Sequence, residues 1–200
     1  MFLCRLRTVA LAAGFGLVLA SCSSVHPPMQ RMPQMTFSNL PAYNLAVGKV
    51  DVVSEFQSSG KAPHIEYDIP VAPQDALLRW VQDRLHPVGG TARLRVTIRD
   101  ASAVEEVLPT DKSLGGMFKK EQASKVTMHL KATLQIIDER GYPIAEVNGE
   151  AERDRTTLEG QKLNERDKML YDMVEDLMLG FNSQVDPNIG QVFTPWLSRR

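Results

Sequence analysis

Residues 124–137 read SKVTMHLKATLQII, and this run constrains the fold more than any other. Val126, Met128, Leu130, Ala132, Leu134 and Ile136 alternate without a break with Lys125, Thr127, His129, Lys131, Thr133 and Gln135. A period of two sorts side chains cleanly only on an extended chain, because a helix would scatter the same residues around its circumference. The run therefore predicts a strand with one dry and one wet face. DERGYP follows, with Gly141 free to take a positive φ, and it predicts a turn. The return strand carries Ala145, Val147, Gly149 and Ala151 inward and Glu146, Asn148, Glu150 and Glu152 outward. A tight turn at Arg140-Gly141 sets Lys131 opposite Glu150 and His129 opposite Glu152. Opposite charges across a ladder stabilise it by a few tenths of a kcal/mol, roughly. His129 thus has a structural reason to exist.

A dry sheet face needs a cover, and two amphipathic helices are present to supply it. Pro73 opens the first, where its missing N–H costs nothing. Leu77, Leu78, Val81 and Leu85 form its stripe, and Pro87 with Gly89-Gly90 is expected to stop it. The second begins near Asn164 and places Leu170, Met173, Val174, Leu177, Phe181 and Val185 at helical spacing. Pro187 is expected to break or kink it. TARLRVTIRD is a further alternating strand, with Ala92, Leu94, Val96 and Ile98 inward. LAVGKVDVV changes parity across Gly48-Lys49, which predicts one strand with a bulge at the glycine. The order strand, helix, three strands, helix predicts an α+β fold. Its sheet is expected to be mostly antiparallel, of about four strands, with two helices on one face.

The first residues serve a different purpose. Arg5 and Arg7 precede an uncharged apolar run from Val9 to Ala20, which is the layout of a secretory signal and too short for a permanent membrane span. Leu19-Ala20-Ser21-Cys22 resembles the lipobox of bacterial lipoproteins. That resemblance implies a covalent lipid on Cys22, removal of residues 1–21, and acyl chains that each contribute about 0.8 kcal/mol per buried CH₂. Ser23 in place of Asp implies sorting to the outer membrane, lipid-anchored and facing the periplasm. Cys4 leaves with the signal, so the mature chain folds without a disulfide. Residues 22–43, rich in Pro and Met, are expected to be a flexible tether, and 44–200 a single domain. A formal charge of −1, made more negative by loss of the two arginines, argues against nucleic acid as a partner.

Motifs that carry chemistry are scarce. The four histidines are far apart, and no H-E-x-x-H or C-x-x-C spacing occurs. Ser59-Gly60-Lys61 lacks both the leading glycine and the hydroxyl of a phosphate loop, and there is no G-x-S-x-G elbow. A non-enzyme is expected, with no cofactor beyond the lipid. Two surfaces suit a partner. In residues 108–122, Leu114, Met117 and Phe118 sit beside Gly115-Gly116 and Lys119-Lys120, a composition suited to a partner groove or a membrane interface. Arg93, Arg95 and Arg99 form a basic stripe on the wet face, suited to acids or lipid phosphates. The alternative is a copper or small-ligand binder that uses the thioethers of Met29, Met32 and Met35 in the tether.

With a lipobox, a Pro-rich tether and a small sheet covered by helices, the chain resembles Gram-negative envelope lipoproteins. The lipoproteins of lipopolysaccharide assembly and the auxiliary lipoproteins of lipid-transporting ABC systems share this layout. The resemblance implies a non-catalytic accessory factor of the envelope that binds a membrane-protein partner or lipid.

Overall fold

The computed structural model describes residues 32–109, 122–158 and 160–198. The 124–137 run lies within β6 (Gln122–Ile137), and all six of its inward side chains are fully buried. It pairs antiparallel with β7 (Pro143–Leu158) through a turn in which Gly141 takes φ +92°. The expected register holds: Lys131 faces Glu150 at 2.9 Å and His129 faces Glu152 at 3.6 Å. β7 continues to Leu158, past the point where its alternation fails. Arg153 and Arg155 take inward positions there because the helix above them is polar: Arg155 meets Asp176 at 3.6 Å, and the Arg153 guanidinium lies against Gly180.

The other side of β6 carries two partners end to end. β4 (Arg93–Asp100) pairs with residues 131–137 of β6, and β5 (Ala103–Val107) pairs with residues 124–128. The two form one edge interrupted at Ala101-Ser102, with a register shift just before it, between Ile98 and Asp100. β2 (Val50–Ser54) adds to β4 in parallel, with α1 (Pro73–Arg84) as the crossover between them. The sheet is therefore mixed, a correction to the mostly antiparallel one expected. The α+β class and the two covering helices stand.

Three local expectations change. The predicted bulged strand is two strands in two sheets. β1 (Tyr43–Leu45) pairs in parallel with β3 (Leu85–Pro87), and the chain crosses to β2 at Gly48, where a Cβ would lie 2.8 Å from the Gly90 carbonyl oxygen. Helix α1 ends at Arg84, because Leu85–Pro87 are recruited to that small sheet. Pro187 lies inside α2 (Leu163–Val192) without ending it. Val185 and Ile189, on either side, are fully buried, and the Asn188 side chain donates to the Gln184 carbonyl at 2.8 Å.

Helix α2 lies along β7, so close at Gly149 that a Cβ there would sit 2.4 Å from Val185 and 2.5 Å from Phe181. Helix α1 fills the remaining space with Trp80, whose ring meets Phe181 edge to face at 5.6 Å. Residues 32–43, assigned from sequence to the tether, pack here as a strap. Met35 is in the core, with Met32, Phe37 and Tyr43 against it.

Candidate functional site

The segment after β2, polar in sequence, is held by two buried isoleucines, Ile65 and Ile69. Backbone bonds from the Ile65 N–H to the Ala103 carbonyl (2.9 Å) and from the Glu105 N–H to the Pro63 carbonyl (2.8 Å) lay it along β5. This places Glu66, only 6% exposed, beneath the bend between β4 and β5. Four donors converge on its carboxylate: Ser58 Oγ at 2.5 Å on Oε2, His64 Nδ1 at 3.0 Å and the Ala103 N–H at 2.8 Å on Oε1, and the backbone N–H of Glu66 itself. Burial alone pushes this carboxyl up, but the bonds from Ser58, Ala103 and His64 outweigh it and hold Glu66 below the usual carboxylate range. Serine, histidine and acid meet here, yet not as a nucleophile would need. Ser58 and His64 both donate to Glu66, so the acid stands between them and no base faces the Ser58 hydroxyl.

Above Glu66 opens a cleft of about 520 Å³, bordered by Phe56, Ser58, Tyr67, Gln74, Asp75 and Ala101 among others. Tyr67 is 78% exposed and stands at its rim. Asp75 comes from the first turn of α1.

Two further polar clusters are structural. Arg166, at the start of α2, clasps Glu105 on β5 through two bonds of 2.9 and 2.8 Å, and Ser124 donates to the same carboxylate. The Arg166 guanidinium is the main cause that holds Glu105 low. Arg84, 1% exposed, gives its five-donor fork to the Pro41 carbonyl (2.6 Å), Asn182 (2.5 Å) and Asp186 (2.8 Å), and stacks against Tyr43 and Trp80. With the bond from the Phe37 N–H to Asp83, it fastens the strap to both helices.

The site residues expected from sequence fall in different places. Cys22, Met29 and the segment with Leu114, Met117, Phe118, Lys119 and Lys120 lie outside the described residues. Met35 is 6% exposed and Met32 packs beside it, so their thioethers serve the core. Of the arginine stripe, Arg99 pairs with Glu55, Arg93 Nε is buried without an acceptor among the described residues, and Arg95 stands opposite Asp51, whose carboxylate pairs with Lys49 at 3.0 Å. Beside residues 110–121, the ends of β5 and β7 and the start of α2 carry exposed apolar side chains. Val107 is 85% exposed, Leu163 73% and Leu158 49%, all at the end where β5 stops, β6 starts and β7 runs out.

No protein-family model matches this chain, and no curated protein does. Solved structures similar to it include the rare lipoprotein B from Shewanella oneidensis, at 11% identity and a TM-score of 0.37 over 72% of this chain and 95% of that one. A minor lipoprotein from Acinetobacter baumannii is similar at 15% identity and a TM-score of 0.39, over 72% and 96%. Both are lipoproteins of Gram-negative bacteria. Overlaps of this size carry no argument about site or partner, so the geometry must do so.

Among the described residues, no three His, Cys, Asp or Glu side chains form a metal site, and no helix is long and apolar enough to cross a membrane. Glu66 and its cleft escaped the sequence reading. The available signals were the His64-Ile65-Glu66 spacing and the pair Ile65 and Ile69, which mark a packed segment with an acid inside it.

Proposed function

We propose that the chain is a lipid-anchored, non-catalytic accessory protein of the bacterial envelope, which docks a membrane-protein partner at the end bearing Val107, Leu158 and Leu163. That rim of apolar side chains, left exposed at one end of a domain whose core is otherwise well filled, is the observation that carries the reading. The disposition of the strap supports it. The strap is fastened at Asp83, Arg84 and Asp186, in the half of the molecule that holds the start of β4. Along β6, the distance from Ile136, beside that start, to Ser124, beside Val107, is about 40 Å at the usual rise of a strand. Between Cys22 and Met32 the chain reaches at most about 35 Å. An anchor on Cys22 would thus hold the strap side toward the bilayer and present the apolar rim away from it, to a partner that stands out of the membrane.

The test separates anchor from docking. Cys22→Ser is expected to release the protein from envelope membranes on washing, and retention of a tightly bound, processed form sinks the anchor. In the acylated protein, Val107→Asp together with Leu163→Asp is expected to leave the melting temperature within a few degrees of wild type, since both side chains are exposed. The same pair is expected to abolish recovery of copurifying envelope proteins. Unchanged recovery at unchanged stability ends the docking reading.

A further inference from the structure

The cleft over Glu66 has a chemistry of its own. Glu66 is buried and, with Ser58 and the Ala103 N–H on it, held for the charged form. Yet among the described residues no lysine or arginine lies within ion-pair distance of it, nor of Asp75, which also lines the cleft; His64 is the ionisable side chain paired with Glu66. Oε1 takes bonds from His64 and Ala103 and Oε2 from Ser58, and the backbone N–H of Glu66 also reaches the carboxylate. The N-terminus of α1 opens nearby and brings about half a positive charge, less than the two acids it faces. Phe56 and Tyr67 supply ring faces at the border, and such faces attract cations.

We propose that this cleft binds a primary ammonium group. One N–H donates to the Glu66 carboxylate where it lines the cleft, Asp75 supplies the second negative charge, and Tyr67 with Phe56 borders the ammonium. A metal ion is a poor fit, because too few ligands converge. A quaternary ammonium suits the rings but has no proton to give Glu66. The amine belongs to a free small molecule or to an ethanolamine headgroup at a lipid surface. The site lies on the β4–β5 bend, and its occupancy does not depend on docking at the apolar rim.

The acylated protein in detergent is titrated with ethanolamine while the aromatic carbon resonances of Tyr67 and Phe56 are followed. Saturable shifts are expected, with tetramethylammonium about tenfold weaker and acetate without effect. Tyr67→Ala, which removes an exposed ring, and Asp75→Asn, which removes an unpaired acid, are each expected to weaken ethanolamine at least fivefold with the melting temperature unchanged. Glu66→Gln is expected to abolish binding, and these two surface variants keep the test decisive if that change unfolds the chain. Preference of the Cys22→Ser protein, which has no acyl anchor, for vesicles of phosphatidylethanolamine over phosphatidylcholine assigns the headgroup, and equal partition assigns a free amine. No saturable shift with ethanolamine, or equal affinity in Tyr67→Ala and Asp75→Asn, overturns the proposal.

Discussion

Tyr43 shows how a single side chain ties the strap to the helices. Its hydroxyl donates to Asp186 at 3.1 Å, beneath the Arg84 guanidinium. Burial first, and the Asp186 carboxylate second, push the phenol up to about 12 from 10.0. A raised value means that folding favours the neutral phenol. The stabilisation is therefore complete below pH 10 and is lost as pH rises from 10 through 12. Denaturant midpoints across that window are expected to fall in the wild type and to fall less in Tyr43→Phe, with tyrosinate absorbance in the wild type marking the same interval. Parallel curves for the two proteins remove the role assigned to Tyr43. At this scale the sequence was legible where register arithmetic applied. Lys131–Glu150 and His129–Glu152 follow from one turn and a period of two. Glu66 was not legible, because its partner Ala103 is 37 positions away and donates a backbone proton that any residue possesses.

Elements were readable when long and periodic, and misread when packing overrode a local rule. β5 is five residues, AVEEV, too short and too charged to announce itself, and it exists because β6 has backbone to spare beyond the end of β4. Pro187 should interrupt a helix, yet the buried Val185 and Ile189 hold both sides of it in place. The closest approach of elements, α2 to β7, depends on Gly149. Gly149→Ala is expected to cost about 1–3 kcal/mol, because the new methyl would overlap Val185 and Phe181 and push the helix outward. Gly190→Ala, in the same helix with nothing within 4 Å of the new atom, is expected to stabilise by up to about 1 kcal/mol. Urea unfolding of the two variants checks both signs. Equal effects refute the tight contact.

For the whole molecule, the strap changes where the folded unit begins. Asn44 is where the alternation starts, so the sequence places the boundary there, but Met35 is buried ahead of it. A lone methionine among prolines has no period to betray its burial. A chain starting at Arg31 is expected to melt cooperatively without metal. One starting at Ser38 is expected to melt cooperatively too, but lower by roughly 2–4 kcal/mol, close to the loss of one buried methionine side chain. Calorimetry of the two decides it, and equal melting temperatures return the strap to the status of tether.

Among the described residues, the long hairpin leaves β7 strand-paired on one side, with β6. Its outer edge, where the Gln184 side chain takes the Glu150 N–H at 2.9 Å, is a template onto which another chain's strand could add, and repetition of that step builds aggregates. The strand carries its own guard in Glu146, Glu150, Glu152 and Asp154, with Arg153 and Arg155 among them. An incoming strand of the same kind would have to bury that crowd of charges against its like. The acids that keep one face of the sheet wet thus also keep neighbouring copies from zipping together, which matters most where a lipid anchor would crowd them side by side on one surface.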